Sequence, residues 1–301
     1  MEQLNQLLED RKWYNAYLYL NSLDESQYTE KLVDSFLNKT IPLASQLYPL
    51  SLTQTVIKVT KKYSQRLDAL IELESKIEES IFKEKAHKDS LILLKIAITE
   101  MFFETNKNIE SQIYELKAMD LNQEQQQAFD HLALRYFEKC GNSDEAYLCS
   151  KRLNFSEKMA ENALHARNVF FLPELDEKES ALYKAVREGN YSYVLKSKTE
   201  NLDFILEKTY IIKMLDICRN QKEIDLIKLG KDLNLEQNSL LLLLIKAIGL
   251  NIIDGKINGV KNLLEIFNVN LQTVAKADLT EIKEQFEAWR DRVDEIIRVM
   301  E

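Results

Sequence analysis

Glycine and proline are nearly absent from this chain. Its 301 residues include only 6 Gly and 3 Pro, where average usage would give roughly three to five times as many. Sheets and long irregular loops draw on these residues for their turns. Their scarcity therefore predicts helices joined by tight polar turns. The prolines, Pro42, Pro49 and Pro173, leave long uninterrupted runs of helix formers. The length allows one extended array or two domains, and 45% hydrophobic residues suffice for a sizeable core.

Apolar residues in the first half recur every three or four positions, as in Leu4, Leu7, Leu8 and then Trp13, Tyr17, Leu20. The spacing predicts helices over 28–41 and 51–63, with Pro42 and Pro49 bracketing a break. Leu67, Leu70, Ile71, Ile77 and Ile81 mark the next helix. Another is expected to be capped by Asp89 and to run through Leu91, Leu94, Ile98 and Met101, followed by one over 109–119. Two segments carry a helix-turn-helix signature. In the first, Phe129 to Phe137 leads into Cys140-Gly141-Asn142-Ser143 and then Ala146-Tyr147. In the second, Leu182 and Ala185 lead into Gly189-Asn190 and Val194. Gly takes the left-handed cap and the small Ala lets two helices cross closely, as in tetratricopeptide repeats. Neither segment keeps the full repeat consensus, so both read as degenerate helix pairs. Such a pair cannot bury its own apolar face and must stack on its neighbours, which predicts an α-solenoid over 1–170.

Four of the six glycines lie beyond residue 220: Gly230, Gly249, Gly255 and Gly259. Helices are expected at 204–218, 224–231 and 234–248. A β-hairpin turning at Asp254-Gly255 follows, with its second strand over Leu263, Leu264, Ile266 and Phe267. Three helices and a hairpin make a winged helix over 203–270, with further helix over 171–202 completing one domain. A DNA-reading winged helix would present basic and amide side chains on its third helix. Here that helix contains Leu240 to Ile245, apolar on every face and hence expected to be buried, with Lys246 as its only base. The wing offers Lys256 and Lys261 against Asp254 and Glu265, and the chain carries a net charge of -9. These features argue against a nucleic-acid partner. The last segment, 276–301, alternates spacings of three and four through Leu279, Ile282, Phe286, Trp289, Val293, Ile296 and Met300. That a/d seam predicts a helix seeking a partner helix.

No catalytic constellation stands out, and the chain is expected to be non-enzymatic. His87, His131 and His165 are scattered without metal-ligand spacing, and neither a phosphate-cradling glycine loop nor a nucleophile elbow occurs. Carboxylate pairs such as Glu78-Glu79 are ordinary in a chain with 49 acids. No cofactor, metal or small-molecule substrate is expected. Cys140, Cys149 and Cys218 are an odd, sparse set that suits a reducing compartment. The N-terminus reads as neither signal nor transit peptide. The most apolar run, 239–250, is too short to span a bilayer and no membrane partner is expected.

The order of elements (helical repeats, winged helix, terminal helix) resembles the PCI family, named for the proteasome lid, the COP9 signalosome and a translation initiation factor. Within it, lid members are the most similar. The resemblance rests on 246–250 (Lys-Ala-Ile-Gly-Leu), 253–258 (Ile-Asp-Gly-Lys-Ile-Asn) and 286–293 (Phe-Glu-Ala-Trp-Arg-Asp-Arg-Val), with Trp13, Pro49-Leu50-Ser51-Leu52 and Lys95-Ile96-Ala97-Ile98 upstream. It spans nearly the whole chain, although this chain reads as shorter than usual members. It implies a scaffold of the proteasome regulatory particle in cytoplasm and nucleus, serving ubiquitin-dependent degradation. The signalosome and the initiation factor share the same architecture. Winged helices of such subunits line up edge to edge, here through Leu263, Leu264, Ile266 and Phe267. The seven seam residues would enter a shared helical bundle, with Phe286 and Trp289 as hot spots. The solenoid would reach other lid subunits, among them metalloprotease-fold subunits and the ubiquitin receptor.

Overall fold

The computed structural model describes residues 2–79, 85–175, 180–219, 221–269 and, near the C-terminus, 283–284, 286–290 and 292–293. The chain is mostly helical with one small antiparallel sheet, and it divides into two compact units, Met1–Gly141 and Asn142–Glu301.

The first unit holds α1 (Glu2–Glu9), α2 (Trp13–Ser22), α3 (Glu30–Thr40), α4 (Pro49–Val59), α5 (Arg66–Glu78), α6 (Lys85–Glu104), α7 (Glu110–Lys117) and α8 (Gln123–Lys139). Packing runs between elements close in sequence: α1 against α2 and α3, α2 against α4, α4 and α5 against α6, α6 against α7 and α8. The three-to-four spacing puts Leu4, Leu8, Phe36, Leu52, Leu70 and Leu94 on inward faces, and all belong to one continuous core. Pro49 occupies the first turn of α4, where its missing N–H costs nothing. Pro42 opens a short 3-10 segment, Ile41–Gln46, instead of a break. The expected Asp89 cap is not formed. The good helix formers before it carry α6 back to Lys85, and Asp89 lies within the helix. Its main-chain and side-chain oxygens accept from the Nε2 of Gln125 at 3.2 Å. Gln125 is itself buried and, with Asn122, closes a capping box at the start of α8.

The scarcity of glycine is met by asparagine. Asn106, Asn154, Asn201, Asn234, Asn251 and Asn262 all hold positive φ, near +52 to +55°. Asn tolerates the left-handed region better than other residues with a Cβ. Asn106, Asn154, Asn234 and Asn251 close helix ends that would ordinarily use Gly. Asn234, expected inside a helix, is instead the left-handed cap of its predecessor.

The second unit holds α9 (Ser143–Arg152), α10 (Ser156–His165), α11 (Ala181–Arg187), α12 (Tyr191–Val194) and α13 (Leu202–Cys218). It continues through β1 (Glu223–Asp225), α14 (Leu226–Leu233), α15 (Gln237–Gly249), β2 (Ile253–Asn258) and β3 (Leu263–Val269). The anticipated turn at Gly189-Asn190 forms. Gly189 has φ +65°, and a Cβ there would lie 2.8 Å from the Cβ of Lys213, so both conformation and space require glycine. Asn190 then caps α12 by accepting from the N–H of Tyr193 at 3.2 Å.

α13 is the axis of this unit. Ile205 and Ile212 enter one apolar cluster with α10 and α11; Ile211, Met214, Leu215 and Cys218 enter another with α14, α15 and the sheet. Its exposed residues are Asp203 and Asp216 alone.

The sheet runs β1-β3-β2, antiparallel throughout. Ile224, expected to begin a helix, lies in β1 opposite Leu264. Three residues of strand leave too little alternation to betray themselves in the sequence. The hairpin does not turn at Asp254-Gly255, which lies inside β2; the chain turns over 259–262. Gly255 follows a register irregularity, and a Cβ there would meet the main-chain oxygen of Glu265 at 2.5 Å. Glycine therefore permits close strand approach at a bulge. No helix among the described residues is long and apolar enough to cross a membrane.

Candidate interaction surfaces

The sequence places β3 at the sheet's edge through Leu263, Leu264, Ile266 and Phe267. In the structure it lies in the centre, because β1 occupies its other side. Leu264 and Ile266 are buried in the core beneath the sheet, Leu263 is half-buried and Phe267 is exposed. The outermost strands are β1 and β2.

The more informative surface is α15. A helix apolar all round is expected to be buried, yet only Leu240, Leu243, Leu244 and Ala247 are. Leu242 is 69% and Ile245 59% exposed. With Asn238 and Gly249 they form a stripe at spacings of four, three and four, one face of a helix. The cause is one-sided packing: α15 meets α13, α14 and β2, and none covers this stripe. Uniform leucine hides the stripe in the sequence; Asn238 and Gly249 at its two ends are the available clue. Lys246, the helix's only base, is committed elsewhere, its Nζ donating to the Oε2 of Glu207 at 2.7 Å. On neighbouring α14, Ile227 is also exposed.

Of the terminal seam, Phe286, Trp289 and Val293 fall within the described residues; Leu279, Ile282, Ile296 and Met300 lie outside them. Residues 286–290 are helical, with Phe286 68% and Trp289 63% exposed, and Val293 is half-buried.

Among the described residues no group of three or more His, Cys, Asp or Glu could hold a metal ion. The Nδ1 of His87 is buried without a hydrogen-bond partner. Cys149 and Cys218 are buried, and burial pushes the Cys218 thiol up to about 12. The most perturbed cation is Lys208 on α13, held down to about 7 by burial, with Asp144 opposing the shift. Its Nζ donates to the carbonyl of Ala166 at 2.7 Å and to that of Ala163, both at the end of α10, beside the rings of Phe170 and Phe204. This satisfies carbonyls that the helix end leaves orphaned. Its geometry is that of a tie between α10 and α13.

The chain matches no family model, and no curated protein matches it significantly.

Proposed function

We propose that this chain is a non-catalytic assembly subunit of the proteasome regulatory-particle lid. It acts in ubiquitin-dependent degradation through contacts with other subunits, in cytoplasm and nucleus. The observation that carries the reading is the run α13-β1-α14-α15-β2-β3 combined with the exposed apolar stripe on α15. A helix, a strand, two helices and a hairpin, with the first strand beside the last, is the order of a winged helix. The strand that the sequence hid, β1, supports that reading.

In a DNA-reading winged helix, the position of α15 carries the groove-reading face. Here that face is Leu242 and Ile245, and its lysine is neutralised by Glu207. Apolar surface gains about 25 cal/mol per Å² when a partner covers it and gains nothing against phosphate. The surface therefore suits protein. Helices that pack on near neighbours in sequence support a repeat-like scaffold on the N-terminal side. With β3 central, edge-to-edge pairing falls to β1 or β2, whose outer main-chain groups face no strand among the described residues. Phe286 and Trp289, exposed in the helical stretch 286–290, suit burial in a bundle of terminal helices.

The test is recovery of the tagged chain from cells and identification of the subunits that accompany it, for the full chain and for a version lacking residues 278–301. Lid subunits should accompany the full chain, and the truncated chain should stay folded but enter no complex. Signalosome or initiation-factor subunits in their place would move the protein to a sister assembly. Normal assembly of the truncated chain would sink the bundle.

A further inference from the structure

A second surface lies in the first unit, where the turn from α1 to α2 and the start of α4 enclose an open cleft of about 670 Å³. Its wall is aromatic: Trp13, Tyr14, Tyr17 and Tyr48, with Tyr14 69% and Tyr48 53% exposed. Its lip carries Arg11 and Lys12, of which Lys12 is paired with Asp10.

One residue sets this cleft apart from ordinary packing, Arg11. Among described residues other than glycine, seven hold positive φ; six are Asn and the seventh is Arg11, at +54°. The turn is closed by the N–H of Lys12 donating to the carbonyl of Leu7 at 2.9 Å, the usual closure around a left-handed residue. Every other such position uses the residue that tolerates the conformation, whereas here a Cβ-bearing chain with no local compensation is placed at energetic cost. Its guanidinium is exposed and has no carboxylate within ion-pair reach among the described residues, while Lys12 pairs with Asp10 at 3.0 Å.

We infer that this cleft binds an extended acidic segment of a partner protein, one with an apolar or prolyl side chain beside a carboxylate. Flat Trp and Tyr faces take apolar and prolyl side chains of extended peptides. The Arg11 fork takes the carboxylate in two parallel hydrogen bonds. This inference does not depend on the identity of the assembly.

The test uses the full chain carrying Trp289→Phe, which leaves Trp13 as the sole tryptophan and so a reporter inside the cleft. Random dodecapeptides displayed on phage are selected against it, and the enriched sequences are synthesised with blocked ends. Enriched peptides should pair Glu or Asp with a nearby aliphatic residue or proline, shift Trp13 emission, and bind more weakly as salt rises. Arg11→Asn should weaken them about tenfold, the equivalent of about 1.4 kcal/mol. The same variant should raise Tm by about 2–4 °C by relieving the turn, so lost binding cannot be blamed on unfolding. Tyr48→Ala should weaken binding comparably. The inference is overturned if no peptide is enriched, if enriched peptides lack carboxylates or leave Trp13 unchanged, or if Arg11→Asn binds them as well as the parent.

Discussion

α13 and α15 are two apolar helices of the same unit, and neither announces a polar face in its sequence. α13 exposes Asp203 and Asp216 alone: its isoleucines serve two separate clusters, and even a lysine, Lys208, is sealed inside. α15 is covered on one side only, and leaves Leu242 and Ile245 in solvent. The difference does not come from the helices' own composition. It comes from how many elements the chain brings around each one. An exposed apolar face on a folded unit is a cost to solubility that a partner's binding can offset. A buried lysine is a cost that only internal hydrogen bonds can offset.

The contrast breaks most readily at Ile205, fully buried on α13. Ile205→Ala removes buried apolar volume in a place that cannot collapse easily. It should destabilise the second unit by about 2–5 kcal/mol, read from urea unfolding. A cost under about 1 kcal/mol would mean that α13 is not the enclosed axis described above.

Much of this was legible in the sequence, and the failures have physical reasons. The helices of the first unit follow from three-to-four spacing because each has one buried face, as Leu4 and Leu8 do. The Gly189-Asn190 turn was legible because a positive φ beside Lys213 admits little else. β1 was hidden because three residues cannot show alternation. Asp254-Gly255 carries a turn signal but serves a bulge, since the same freedom of glycine suits both. The α15 face was hidden because periodicity needs contrast, and Leu240 to Ile245 offers none. The six left-handed asparagines were visible as residues, but the conformation of four of them, Asn106, Asn154, Asn234 and Asn251, follows from helix ends that spacing alone places loosely.

Lys208 sharpens the comparison through pH. Burial holds it near 7 in the folded chain, against an ordinary 10.5. Between those values the unfolded chain binds more protons than the folded one, so stability rises with pH across that window. Below about 7 both states are protonated and the contribution is at its lowest. Lys208→Met removes this group's titration. Urea unfolding of both proteins from about pH 7 to about pH 10 should show a parent-minus-variant slope that is positive and a fraction of the limiting value of about 1.4 kcal/mol per pH unit. A flat difference would mean that water reaches the amine and that α13 is less enclosed than its partners suggest.

The smallest effect on stability is expected on α15, and its smallness is the point. Leu242→Gln together with Ile245→Gln replaces side chains that already face water, so unfolding free energy should change by no more than about 0.5 kcal/mol. The same exchange at Ile212, buried on α13, strands an unpaired amide in the core and should cost several times as much. Association should respond in the opposite order. Removing two exposed apolar groups should lower self-association of the isolated chain in light scattering and weaken recovery of its partners, with the fold intact. If the double variant instead unfolds as readily as Ile212→Gln, the stripe is part of the core, and the reading of α15 as a contact surface falls with it.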